Sequence, residues 1–201
     1  MLTFLPTNIC TAHLDMKIFI QGYYISANQM SSVLINNRLV GANANQCDTL
    51  MVSLMDSVTH AAVDSCKNVL STSGNWTVAF PAAVLGAGYY LKITHRNSLE
   101  TWSSNPVIMN NTTTFDLSAD SSLAFGKQVR HIEAGVWAIY SGDIDQDGEI
   151  LPSDLDYIET ASHLFQFGYL PGALTGDGLV ESSDYSLIEN NLIGQLQVQK
   201  P

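Results

Sequence analysis

The sequence predicts a mainly β protein, an antiparallel β-sandwich over residues 1–140 followed by a small α-helical unit over 141–201. Three observations carry this expectation. Short runs of alternating apolar and polar residues recur through the first 140 residues, separated by turn-forming residues. The acidic residues gather in the last sixty. In that same region an acidic loop leading into a short helical pattern occurs twice, thirty residues apart. A chain of 201 residues that is 46% hydrophobic and 13% charged can bury a sizeable core, which excludes a wholly disordered acidic protein.

In chain order, the first strand is expected over Leu14–Gln21, with Met16, Ile18 and Ile20 on one face. Residues 25–47 are rich in Asn and read as a long connection. Alternation returns at Thr49–Met55, Asn75–Phe80 and Tyr89–His95, and further strands are expected at 61–71, 100–103, 113–118 and 134–140. Ser73-Gly74-Asn75, Gly86-Ala87-Gly88, Asn97-Ser98 and Asn110-Asn111 supply the turns. Seven or eight short strands without a long helical period point to a Greek-key sandwich.

The net charge of −11 is unevenly placed. Residues 1–142 hold eight acids and seven bases, whereas 143–189 hold eleven acids and no Lys or Arg. That balance argues against nucleic acid as a partner, and no run of apolar residues is long enough for a membrane span. The first twelve residues lack the basic and apolar regions of a signal peptide, as expected of a processed chain, a fragment or a cytosolic protein. Cys10, Cys47 and Cys66 allow one disulfide in three pairings, or buried unpaired thiols. Asn75, Asn110 and Asn111 each begin an N-glycosylation triplet.

No nucleophile stands beside a base in the sequence, and His13, His60, His95 and His131 lack metal-ligand spacing, so the expectation is a protein that is not an enzyme. Tyr23, Tyr24, Tyr89, Tyr90 and Trp102 are candidates for stacking on sugar rings; the competing reading places them in the core.

The chemistry is expected in the last sixty residues. In Asp143–Asp154, oxygens at positions 1, 3, 5 and 12 of a twelve-residue loop are Asp143, Asp145, Asp147 and Asp154. Gly148 makes the turn at position 6, Glu149 offers its carbonyl at position 7, and Ile150 at position 8 is expected to pair with a neighbouring loop. Clustered carboxylates repel without a cation, and an all-oxygen set selects Ca²⁺ over Zn²⁺. Thirty residues on, Thr175, Asp177, Leu179, Glu181 and Asp184 fall at positions 3, 5, 7, 9 and 12, but position 1 is Ala173, which has no ligand atom. The second site is therefore expected to be weaker, or empty with its turn kept by other contacts. Ser153-Asp154 and Ser182-Ser183-Asp184 provide capping chemistry for a helix after each loop.

This duplicated loop–helix unit, over residues 142–193, resembles the type I dockerin family of calcium-binding modules. The resemblance implies calcium at Asp143, Asp145, Asp147 and Asp154, and docking onto a cohesin β-sandwich through Pro152, Ser153, Ser182, Ser183 and the following helices. Ala173 departs from the pattern, as does the lack of basic residues after the loops. More widely, residues 18–24, 48–54, 88–103 and 136–148 are similar to a C-terminal region of exported Bacteroidetes proteins, in which a β-sandwich precedes such a pair. That similarity implies an Ig-like or prealbumin-like sandwich and a secreted or cell-surface location. Asp48-Thr49-Leu50 and Asp56-Ser57-Val58 also resemble the short O-glycosylation motif of such proteins.

The function expected is a non-catalytic, calcium-stabilised structural module that joins proteins at the cell surface or in an extracellular fibre. It would act through the dockerin-like tail or by self-association, with residues 1–13 as a strand donated to a neighbouring sheet edge. The alternative is a carbohydrate-binding accessory to a polysaccharide-degrading system.

Overall fold

The computed structural model describes residues 11–201. Its strands are β1 (Thr11–Lys17), β2 (Tyr24–Ser26) and β3 (Gln29–Met30), then, after a single-turn helix α1 (Val33–Asn36), β4 (Gln46–Asp56), β5 (Ala62–Ser71) and β6 (Asn75–Pro81). They continue with β7 (Gly88–His95), β8 (Ser98–Trp102), β9 (Val107–Ile108), β10 (Thr112–Asp116), β11 (Arg130–Glu133) and β12 (Val136–Ala138). Helices α2 (Pro152–His163) and α3 (Ser182–Leu192) follow.

Two sheets make the sandwich. One has the order β10-β1-β6; the other runs β5-β4-β7-β8, with β9 also pairing with β7. The alternation in the sequence decides which residues face inward. Ala12, Leu14 and Met16 of β1 and Trp76, Val78 and Phe80 of β6 are buried from one sheet, Leu50, Val52 and Leu54 of β4 and Leu91 and Ile93 of β7 from the other. All belong to one apolar cluster. Each such side chain removed from water contributes about 1.5–3 kcal/mol, so the cluster dominates the stability of this part of the chain.

The structure departs from the sequence-based expectation in four places. The sandwich is not wholly antiparallel: β1 runs antiparallel to β6 but parallel to β10. No hairpin joins the first and last strands of this sheet, so chain connectivity does not impose antiparallel pairing. The first strand ends at Lys17, and Ile18, Phe19 and Ile20 are all buried beyond it, because the chain there leaves the sheet with both faces covered. Residues 25–47 are not an irregular connection: they finish the β2–β3 hairpin, whose turn residues Ala27 and Asn28 both have positive φ, and hold α1. Finally, Thr11–His13, expected as part of a donated strand, already lie in β1 between β6 and β10; residues 1–10 lie outside the described residues.

Cys47 is buried, Cys66 is half-buried and both are free thiols; Cys10 lies outside the described residues. Asn75, Asn110, Asn111 and Ser57 are exposed, whereas Asp48 and Leu50 are buried within β4. Thr49, the hydroxyl residue of the Asp48 motif, is half-buried between them. Tyr23, Tyr89 and Trp102 are buried, so these three fill the core and offer no face to a sugar ring. Among the described residues no helix is long and apolar enough to cross a membrane.

Candidate metal centre

Residues 143–201 form two loop–helix repeats that share a second apolar cluster. It contains Ile144, Ile150, Ile158, Ala173, Leu174, Val180 and Ile188, joined by Leu99 from β8. Neither α2 nor α3 has enough apolar surface to stand alone, and the two pack against each other. Their N-caps are Leu151 and Glu181, so of the serines and aspartates the sequence offered for capping it is the aspartates that act. The helix starts depend instead on Asp154 and Asp184 at N3, which accept from the Leu151 and Glu181 N–H groups at 2.9 and 3.0 Å.

The same two aspartates close the loops. Asp154 Oδ1 accepts from the Ile144 and Asp145 N–H groups at 2.7 and 3.4 Å. Asp184 Oδ1 accepts from Thr175 N–H and Oγ1 at 2.8 and 3.1 Å. At position 5, Asp147 and Asp177 each accept the N–H two residues on at 2.9 Å. Gly148 and Gly178, at position 6, have φ of +92° and +86°, a conformation glycine adopts without a Cβ clash.

The repeats are also locked to each other. Ile150 shares the apolar cluster with Val180, its counterpart in the other loop, while its N–H donates to Leu196 O and Val198 N–H donates to Gly148 O, both at 2.8 Å. At the equivalent positions of the other repeat, Val180 N–H donates to Gln166 O and Gly168 N–H to Gly178 O. The segment after each helix thus pairs with the loop of the other repeat, in a pseudo-two-fold arrangement. In loop one these bonds use Gly148 O and Ile150 N–H, so the Glu149 carbonyl points away from the tail.

In loop one the carboxylate oxygens of Asp143, Asp145 and Asp147 lie within 4.8 Å of one another. Asp143 is buried and its Oδ1 has no hydrogen-bond partner. Burial first, then the charges of Asp154, Asp147 and Asp145, push the Asp143 carboxyl up to about 7. A buried orphan oxygen facing further carboxylates is a poor arrangement for a bare loop and suits a hard cation. Asp154 is not part of the three-carboxylate group: both of its oxygens hold backbone N–H groups, although a carboxylate has acceptor capacity beyond those bonds.

Loop two has the same turn on a different support. Ala173, at position 1, is fully buried in the second apolar cluster. Leu174 O lies so close to Gly22 that a Cβ there would stand 2.1 Å from it. Gly176 lies against Val33 and Tyr23 of the sandwich, and Asn36 Nδ2 donates to Gly176 O at 3.4 Å. Glu181 Oε1 accepts from Ser183 Oγ at 3.2 Å. Thr175, Asp177, Leu179, Glu181 and Asp184 hold their loop positions, but among the described residues only loop one brings three carboxylates together.

A buried polar cluster, invisible to local sequence patterns, joins the sandwich to the repeats. Asp48, with no exposed side-chain surface, accepts from Tyr23 Oη at 3.1 Å, Arg96 Nε at 3.1 Å and Tyr169 Oη. Burial pushes its carboxyl up, but His95, Arg96 and Tyr169 together outweigh that and hold it below the usual carboxylate range. The Arg96 guanidinium stacks on Tyr169, 4.1 Å from the ring centre, and donates to Leu170 O, while Asn97 Nδ2 donates to Pro171 O at 2.9 Å. Ser98 Oγ lies 2.8 Å from His95 Nδ1, and His95 Nε2 lies 3.2 Å from Asp48 Oδ2 without hydrogen-bond alignment. This serine–histidine–aspartate row was not foreseen from sequence, since His95 and Asp48 are far apart in the chain. All three residues are buried, and burial lowers the basicity of His95, which with Arg96 and Tyr169 also borders a cleft of about 620 Å³.

No family model and no curated protein matches the chain. The fold is similar to solved structures of two type II cohesin–X–dockerin complexes from Acetivibrio cellulolyticus. The match to a C-terminal interface mutant has TM-score 0.50 and 16% identity, covering 89% of this chain and 94% of that one. The match to an N-terminal interface mutant has TM-score 0.51 and 15% identity over the same shares. At that identity the likeness concerns the fold: a mainly β chain with a sandwich.

Proposed function

We propose that this protein is a non-catalytic, extracellular or cell-surface assembly module whose C-terminal repeats are organised by Ca²⁺ in loop one. The observation that carries the reading is the convergence of the Asp143, Asp145 and Asp147 carboxylates at a residue, Asp143, whose buried Oδ1 has no hydrogen-bond partner. Those three carboxylates and the Glu149 carbonyl would hold the ion, with Asp154 closing the loop behind it. The ion supplies charge neutralisation and fixes the turn; it has no catalytic part. Loop two, with Thr175, Asp177, Leu179, Glu181 and Asp184 but no ligand at position 1, serves as a structural partner.

The dockerin-like resemblance and the fold match support an assembly role. A protein partner would then be held by the tail. Tyr23, Tyr89 and Trp102 lie buried in the core, which favours the assembly reading over the sugar-binding alternative.

Calcium titration calorimetry and thermal melts test this. One strong site and a melting temperature lowered by chelator are expected, with proteolysis in chelator beginning after residue 141. An unchanged melt and an unchanged cleavage pattern would overturn the reading.

A further inference from the structure

The two loops meet the sandwich through the same position. Position 4 is Gln146 in loop one and Gly176 in loop two, and both have positive φ, +61° and +77°. At loop two the sandwich reaches in. Asn36 Nδ2 donates to Gly176 O, and a Cβ on Gly176 would stand 2.5 Å from Val33 Cγ2, which leaves no room for a side chain. At loop one the loop reaches out. Gln146 Nε2 donates to Ser98 O, in β8, at 3.3 Å and to Asp143 O at 2.6 Å. One side-chain amide thus ties a sandwich strand to the backbone of the residue at position 1 of the metal loop.

The segment entering loop one is held by the same stretch of sandwich. Leu99 N–H donates to Tyr140 O at 2.9 Å, Ser98 and Ser141 form an antiparallel bridge, and Gly142 N–H donates to Asn97 O at 2.8 Å. Gln146 continues this attachment by one residue, to Asp143 itself. The carboxylates of Asp143, Asp145 and Asp147 repel one another, and that repulsion tends to swing position 1 away from the other two. Holding the Asp143 backbone keeps the three together, so less ordering is left for the binding step. The positive φ sharpens the choice of residue. Glycine or asparagine adopts it more readily, but glycine has no side chain and asparagine is one methylene shorter. Glutamine accepts a backbone cost here and gains the reach to Ser98 O.

We propose that Gln146 is a positioning residue for loop one: its amide fixes Asp143 against β8, so that the calcium affinity of the repeats is set in part by the sandwich. The inference rests on the metal reading above and adds the link through which one part of the chain controls the other. Such coupling is reciprocal, so calcium held by Asp143 should in turn tighten the bond between Gly142 N–H and Asn97 O.

Calcium titration calorimetry of the full chain, paired with denaturant unfolding in calcium and in chelator, is the test. Gln146→Met keeps the length of the side chain and removes its donor, whereas Gln146→Asn suits the turn but falls short of Ser98. Both should weaken calcium binding about three- to tenfold, the size expected for one hydrogen-bonding group. The stability lost should be larger in calcium than in chelator, because in chelator the released carboxylates separate and recover part of the loss. A side chain with a merely structural role would lower both equally and leave the affinity unchanged. Hydrogen exchange at Gly142 N–H should slow when calcium is added to the wild-type chain, and slow less in Gln146→Met. Wild-type calcium affinity in either variant, or equal stability losses in the two conditions, overturns the positioning role alone. A wild-type chain that binds no calcium overturns the metal reading on which that role rests.

Discussion

Loop one and loop two have the same backbone turn and the same closing aspartate, yet they are stabilised by different means. In loop one, three carboxylates converge and one oxygen of Asp143 is buried without a partner. In loop two, position 1 is Ala173, buried in the apolar cluster, and the sandwich presses on the turn through Gly22, Val33 and Tyr23. The contrast extends to the helices. Asn191 of α3 donates to Ser141 O at 2.7 Å and to Gln21 Oε1 at 2.8 Å, whereas its α2 counterpart is Ala161. A loop packed under Gly22, Val33 and Tyr23 tolerates loss of a ligand residue, while loop one, tied to the sandwich by Gln146 Nε2 donating to Ser98 O at 3.3 Å, keeps its carboxylates. The proposed ion in loop one and the packing under loop two are thus two solutions to one problem, the ordering of a short acidic turn.

The largest effect is expected where the bracing is most concentrated. Asp48→Ala removes the carboxylate shared by Tyr23, Arg96 and Tyr169 and leaves the mostly buried Arg96 without its counter-charge. Breaking such a pair costs about 3–5 kcal/mol. Chemical denaturation should report a loss of that size both with calcium and in chelator, because this cluster holds the loop-two side. A loss seen only in one condition would break the comparison.

A smaller effect, opposite in sign to ordinary carboxylate behaviour, is expected of Asp143 in chelator. Its folded-state pKa is raised to about 7 by burial and by Asp154, Asp147 and Asp145. Between the ordinary Asp value, near 4, and about 7, the folded state therefore binds more protons than the unfolded one. Stability in chelator should fall as pH rises through that window and recover on acidification toward its lower end. Asp143→Asn should flatten this slope and also lose the calcium-dependent rise at neutral pH. A pH profile identical in wild type and variant would remove Asp143 from the argument.

Much of this was legible because it is local. Period-two alternation located β4, β6 and β7 closely, and the twelve-residue spacing singled out Asp143, Asp145 and Asp147, whose carboxylates converge, but also Asp154, which instead holds backbone N–H groups. Ala173 announced that loop two differs. What escaped depends on distance along the chain. The parallel β1–β10 pair, the cross-repeat tails and the Asp48–Arg96–Tyr169 cluster join residues far apart, and no periodicity encodes such contacts. The β2–β3 hairpin was hidden for another reason: Ala27-Asn28 lacks the glycine that usually marks its turn.

The smallest effect separates the two loops most directly. Asp147 and Asp177 both sit at position 5, and each accepts one N–H at 2.9 Å from the residue two further on. As turn elements they are equivalent, and losing one such bond costs about 0.5–1.5 kcal/mol. In chelator, Asp147→Ala and Asp177→Ala should therefore lower stability by similar amounts. In calcium they should diverge, because Asp147 belongs to the convergent carboxylate group and Asp177 does not. Asp147→Ala should weaken calcium binding at least about tenfold and bring the calcium melt close to the chelator melt, whereas Asp177→Ala should leave the difference between the two melts intact. Equal losses in calcium would mean that loop two also holds an ion, with the brace of Gly22, Val33 and Tyr23 assisting a ligand set in place of replacing one.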